Sequence, residues 1–94
     1  AIEEAWEDVV AGRELDRGTH VRLRLSATEA AHAGSEATRM AFVMAGTEAL
    51  RKGHLVSRCM IDAAAVAQHA FLGAGTWTSA GAALLSQSTP PGYP

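Results

Sequence analysis

Ile2, Trp6, Val9 and Val10 recur at helical spacing through "AIEEAWEDVVA", with acids between them, and predict an amphipathic helix over 1–11. Gly12 is placed to end it, as a residue free to take positive φ. Asp16 is an N-cap for a second helix over 17–45, a stretch without proline. One stripe of that helix runs Leu23, Ala27, Ala30, Gly34, Ala37, Ala41 and Met44, spaced alternately four and three. This is a heptad seam built almost wholly from small side chains, and it predicts close packing of two helix backbones. Arg22, Glu29, Glu36 and Arg39 form the opposite, solvated face.

"AGTEALRKGHL" interrupts the pattern: Gly46 and Gly53 bracket a single turn, and Glu48 and Lys52 are spaced for an ion pair. A third helix is expected over 54–72, with Val56, Met60, Ala63, Ala67 and Ala70 as its seam, and a fourth over 76–86. The same register continues through Ala74, Trp77, Gly81 and Leu84, which also permits one continuous helix, but Gly73 and Gly75 place a break between the two. Pro90 and Pro91 leave 87–94 as an irregular tail. With no strand pattern anywhere, the fold class is all-α: an antiparallel helical hairpin or up-down bundle over 1–86.

Composition changes this picture in one respect. The chain has 94 residues, one domain at most, and its 48% apolar share is dominated by alanine, with 5% aromatic residues. A buried alanine contributes a fraction of the ~1.5–3 kcal/mol of a buried Leu or Phe, so the chain is expected to lean on a second copy or on a longer polypeptide. The opening "AIEEAW", without Met, reads as an excised piece. A net charge of −2 excludes a generally basic nucleic-acid binder. Acids cluster in 1–16 (Glu3, Glu4, Glu7, Asp8, Glu14, Asp16), leaving a mildly positive body. Cys59 is the single cysteine, so an internal disulfide is excluded and a reducing, cytoplasmic setting is expected. No signal peptide and no stretch able to span a bilayer are present, so no membrane partner is expected.

Candidate chemistry sits in "LVSRCMIDAAAVAQHAF". Arg58, Asp62 and His69 fall on one side of the third helix as extended, with Ala65 between. One reading is the wet face of an amphipathic helix. The other is the lining of a ligand cleft, in which arginine meets phosphate or carboxylate and a neutral histidine exchanges a proton. Periodicity does not decide between them. His20, His32, His54 and His69 have no zinc-type grouping, and no metal is expected. Cys59 reads as a small core residue, Met40, Met44 and Met60 as core filler, and Trp6 and Trp77 as packing anchors.

"AGTEALRKGHLVSRCMIDAAAVAQH" resembles the C-terminal helical domain of the acyl-CoA dehydrogenase superfamily, in the branch that includes flavin-dependent hydroxylases and monooxygenases. Ala45-Gly46, Glu48-Ala49-Leu50, Arg58-Cys59, Asp62, Ala64 and Gln68-His69 stand at the places of that branch's motifs. Upstream, "LRLSATEAAHAGSEATRMAFVMAG" is similar to the long helix before the motif; downstream, "TWTSAGAALL" resembles the closing helix, with Gly81 at its glycine. There are departures: Ile61 replaces the arginine of the family's Arg-Asp pair, Ala63 or Ala64 its following histidine, and His54 its proline. The "EGT" segment of fatty-acyl dehydrogenases, whose glutamate serves as base, is missing, which points to the hydroxylase-like branch.

The resemblance implies the C-terminal part of a flavin-dependent oxidoreductase, either monooxygenase- or hydroxylase-like or a dehydrogenase, using FAD or FMN, whose remaining chain supplies much of the flavin site. It implies a homotetrameric parent, and for this segment alone a homodimer without activity. His69 inherits a catalytic role as base or as the group orienting a substrate hydroxyl, while Arg58 and Asp62 inherit flavin-side contacts. The competing expectation is a stand-alone helical protein-protein interaction module without enzymatic activity. A self-sufficient enzyme using His69 and Asp62 lacks any nucleophile or oxyanion signature.

Overall fold

The computed structural model describes residues 2–91 and Tyr93; the expected helix start at position 1 and tail positions 92 and 94 lie outside them. Four α-helices follow one another: α1 (Ile2–Val10), α2 (Arg17–Ala45), α3 (Leu55–Ala67) and α4 (Gly75–Leu84), with a 3-10 turn (Gly46–Leu50) between α2 and α3. The described residues contain no strand, and the fold class is all-α.

Each helix end has a local cause. Past α1, Gly12 takes φ +78°, its amide donates to Val9 O, and the Arg13 amide donates to Asp8 O at 2.9 Å. That is the paired bonding of a left-handed C-cap, here reinforced by the Arg13–Asp8 ion pair at 2.8 Å. Asp16 caps α2: its Oδ1 accepts the Thr19 amide at 2.7 Å. This hydrogen bond holds the Asp16 carboxyl below its ordinary range. α3 is capped by His54, whose Nδ1 accepts the Val56 amide at 3.2 Å.

α2 is the spine. Its 29 residues imply a rod of ~44 Å, in keeping with the molecule's 50 Å long axis. α3 and then α4 return antiparallel along it: residues 71 and 72 lie beside Arg24 and His32, and Thr89 reaches Arg17. The radius of gyration is 17.0 Å, against ~13 Å for a compact 100-residue domain, and the thinnest dimension is 18 Å. The molecule is thin, about two helix diameters deep at its narrowest.

The face that α2 turns inward differs from the alanine seam. Arg24, Thr28, Ala31, Ser35, Thr38, Phe42 and Ala45 are buried or half-buried, together with Val21 and His32. This is the expected four-three rhythm displaced by one residue, or about 100° around the helix. Ala27, Ala30, Gly34, Ala37, Ala41 and Met44 are left exposed. The displacement is possible because the two inward threonines bond within their own helix, while Arg24 and His32 donate to carbonyls of the chain packed against it. Thr28, fully buried, donates its hydroxyl to Arg24 O at 2.9 Å, and Thr38 donates to Ser35 O at 2.8 Å. Polar in sequence, they pack as apolar groups.

α3 does bury Val56, Met60, Ala63 and Ala67, wholly or in part, while Ala70 is exposed. α4 buries Thr76 and Ala80 rather than Ala74, Gly81 and Leu84. Glu48 pairs with Arg51 at 3.2 Å, not with Lys52, because the 3-10 turn brings i and i+3 together. Trp6 is 66% exposed and anchors nothing, Met44 is 85% exposed, and Cys59 lies on the surface. The buried hydrophobic residues are Ala5, Val21, Ala49, Ala67 and Ala80, whereas Ile2, Val10, Leu50, Leu55, Ile61 and Leu85 are each more than 60% exposed. Far more large apolar surface is open than is covered, as on a piece cut from a larger assembly.

Candidate functional site

The chain leaves helical geometry at Ala67, before it reaches His69. Gln68 ends α3, and residues 68–73 form a tight turn. The His69 carbonyl accepts both the Leu72 amide at 2.8 Å and the Gly73 amide at 2.7 Å. The His69 side chain joins the turn as well: Nδ1 accepts the Phe71 amide at 3.1 Å, and the imidazole stacks on the Phe71 ring at 5.5 Å and 18°. Arg58, Asp62 and His69 therefore do not form a continuous helical line. The first two lie on the outward face of α3, and His69 sits on the turn beyond its end.

The Nδ1 contact defines what the imidazole can do. An amide only donates, so the neutral ring carries its proton on Nε2. His69 is exposed, and it lines an open groove of about 520 Å³ with Ala65, Val66, Phe71 and Leu72. The wall is apolar apart from the imidazole, a suitable surface for a flat aromatic group offered one hydrogen-bond donor.

Arg58 and Asp62 are exposed, and no ion pair joins them among the described residues. Their surroundings are not those of an ordinary solvated face: Leu55 (67% exposed), Ile61 (64%) and Val66 (51%) stand on the same outer side of α3. Ile61 holds the position where the family carries arginine, so that site offers apolar contact instead of charge.

A second cleft, about 470 Å³, opens on the other side of Phe71, lined by Arg24, Thr76, Ser79, Pro90 and Tyr93 among others. The Arg24 guanidinium lies 4.7 Å from the Phe71 ring centre and 4.6 Å from that of Tyr93. Its Nε donates to Phe71 O at 3.2 Å. His32 Nε2 donates to Leu72 O at 2.9 Å, and its ring lies 4.5 Å from Trp77. Sequence reasoning singled out neither Arg24 nor His32 for the site; their contacts span 40 or more residues, which no local pattern encodes. Among the described residues, no group of three His, Cys, Asp or Glu side chains is placed to hold a metal, and no helix is long and apolar enough to cross a membrane.

The helical hairpin leaves charged and large apolar side chains exposed side by side. The sequence profile of the family described as acyl-CoA dehydrogenase, C-terminal domain, matches residues 1–74, and the chain belongs to that family. It is 39% identical over 93 residues to an indole-3-acetate monooxygenase of Pseudomonas putida, covering 99% of this chain and 24% of that protein. It is 34% identical over 88 residues to an indole-3-acetate monooxygenase of Acinetobacter baumannii, covering 94% of this chain and 23% of that protein. The chain thus spans about a quarter of the length of these relatives. No solved structure matches it.

Proposed function

We propose that this chain is the C-terminal helical segment of a flavin-dependent monooxygenase, contributing subunit contacts and one wall of the flavin and substrate site. The observation that carries the reading is the exposure of Arg58 and Asp62 beside exposed Leu55, Ile61 and Val66 on α3, and of His69 beside Val66 and Phe71 in the groove at its end. Charged and apolar groups interleaved in this way suit a face that other protein and a cofactor cover. The relatives' activity supports an aromatic substrate such as an indole acid.

The residues fit one side of a flavin site rather than a whole one: an apolar groove, one Nε2–H donor, and a carboxylate and a guanidinium about two and three turns back along the chain. FAD or FMN, when bound, supplies the oxygen-activating redox chemistry. The work assigned to this chain is positional. His69 presents its Nε2 proton to an oxygen at the reacting centre, with Nδ1 occupied by the Phe71 amide. Serving as a base through Nδ1 would require breaking that bond, so the donor role is preferred over general-base action. Arg58 and Asp62 contact the cofactor or the segment that holds it. The outward stripe Ala27, Ala30, Gly34, Ala37 and Ala41 meets the same stripe of a second copy, giving a dimer of the segment and a tetramer of the parent.

The test is His69→Ala in the full-length enzyme. Turnover falls by roughly a hundredfold, as for loss of a positioned proton donor, with flavin affinity within about twofold of the parent. Unchanged turnover removes His69 from the site.

A further inference from the structure

We propose that Arg24 and His32 on α2 are positioning residues that fix the orientation of the His69 imidazole by clamping the turn that carries it. The inference rests on the reading of His69 above for its kinetic consequence, but its geometry is independent of that reading.

Because α3 ends at Ala67, the one backbone bond among the described residues that ties His69 to it is that of its own amide to Val66 O at 3.1 Å, and the residues after it leave the helix. The carbonyls two and three residues further on, those of Phe71 and Leu72, are taken by α2. Phe71 O accepts Arg24 Nε at 3.2 Å, and also the Thr76 hydroxyl at 3.2 Å. Leu72 O accepts His32 Nε2 at 2.9 Å. Both donors are themselves held: the Arg24 guanidinium by the Phe71 and Tyr93 rings, the His32 ring by Trp77 at 4.5 Å. A planar group packed against aromatic rings, as Arg24 is over Phe71 and Tyr93 and His32 is at a 48° tilt to Trp77, has its N–H direction restricted, which makes each a strut rather than a flexible tether.

The clamp acts on the imidazole through Phe71. That residue receives Arg24 on its carbonyl and over its ring, donates its amide to His69 Nδ1 at 3.1 Å, and stacks its ring on the imidazole. Moving Phe71 therefore rotates the His69 ring and releases Nδ1. Leu72, held by His32, shares the same turn and donates its amide to the His69 carbonyl at 2.8 Å. A displacement of ~1 Å at a reacting group costs on the order of 10²-fold in rate, so struts two residues away from the imidazole are sufficient to set turnover.

The experiment uses the full-length flavin-loaded enzyme and the variants His32→Leu, which removes the donor, and His32→Gln, which keeps a side-chain N–H near the position of Nε2. Two readouts are taken. The first is the ¹⁵N resonance of His69 Nδ1 in histidine-labelled protein. His32→Leu moves it away from its parent position and His32→Gln restores it; a resonance unmoved in His32→Leu overturns the clamp. The second is kcat. His32→Leu lowers it about tenfold or more with KM within about twofold, His32→Gln recovers most of the loss, and in a His69→Ala background His32→Leu has no further effect. An equal loss in both backgrounds means that His32 acts by another route, and overturns the proposal. If His69→Ala alone leaves turnover unchanged, the role of His69 falls, while the resonance still decides whether α2 orients it.

Discussion

The Phe71 amide donates to Nδ1 of His69 at 3.1 Å, and the two rings stack at 5.5 Å. A neutral imidazole so bonded has its proton on Nε2. Nitrogen-detected NMR of labelled protein at a pH where His69 is neutral is expected to show the Nε2–H tautomer predominating. An Nδ1–H pattern would contradict the arrangement.

Asp16 links the pH response to α2. Its folded-state carboxyl lies below its ordinary range because the charged form accepts the Thr19 amide. A depressed carboxyl contributes stability that is fully present above the unfolded value and is lost as pH falls through the folded one. Asp16→Asn, still a good cap, is expected to keep α2 while removing this contribution to the acid slope; Asp16→Ala weakens the helix start even at neutral pH. Thermal melts across pH 2–6 check both.

Thr28 is fully buried and spends its hydroxyl on the carbonyl of Arg24 within its own helix. Thr28→Val keeps the volume, and that carbonyl retains its helical amide, so the change is expected to stay within about 1 kcal/mol. Thr28→Ala leaves a void against α3 and α4 and costs about 1–2 kcal/mol in a denaturant melt. The reverse order would mean that the hydroxyl has a partner outside α2.

Gly34 lies on the outward stripe, and a Cβ built there meets nothing within 4 Å. Gly34→Ala is therefore expected to stabilise the helix of a single chain by about 0.5–1 kcal/mol. Gly34→Arg leaves a single chain intact but blocks close approach of a second α2. Light scattering at high micromolar concentration is expected to show a dimer for the parent segment and a monomer for Gly34→Arg. A parent that is monomeric throughout removes this stripe from the subunit contact.

The helical class was readable because the determinants are local: a proline-free run after Asp16, and Gly12 and Gly46 at positive φ where helices end. The register of α2 was not. Counting Thr28, Ser35 and Thr38 as polar turns the alanine stripe inward by default, whereas hydroxyls bonded to their own helix pack like apolar groups. His69 is exposed and lines a groove, but it sits on a turn past Ala67 rather than on the extended third helix that its spacing suggests. The side chains of α2 that bond to that turn, Arg24 and His32, lie 40 or more positions away. The family resemblance marked the positions of Arg58 and Asp62; only the structure showed that exposed Leu55, Ile61 and Val66 surround them.

Covering of the face around residues 55–72 is the claim on which the functional account stands, and hydroxyl-radical footprinting of the full-length protein tests it most directly. Leu55, Cys59, Ile61 and Phe71, all exposed here, are expected to be strongly protected relative to the unfolded protein, with Phe71 and His69 protected further when flavin is added. Full reactivity of these side chains in the flavin-loaded enzyme, equal to that of the unfolded protein, would contradict the account.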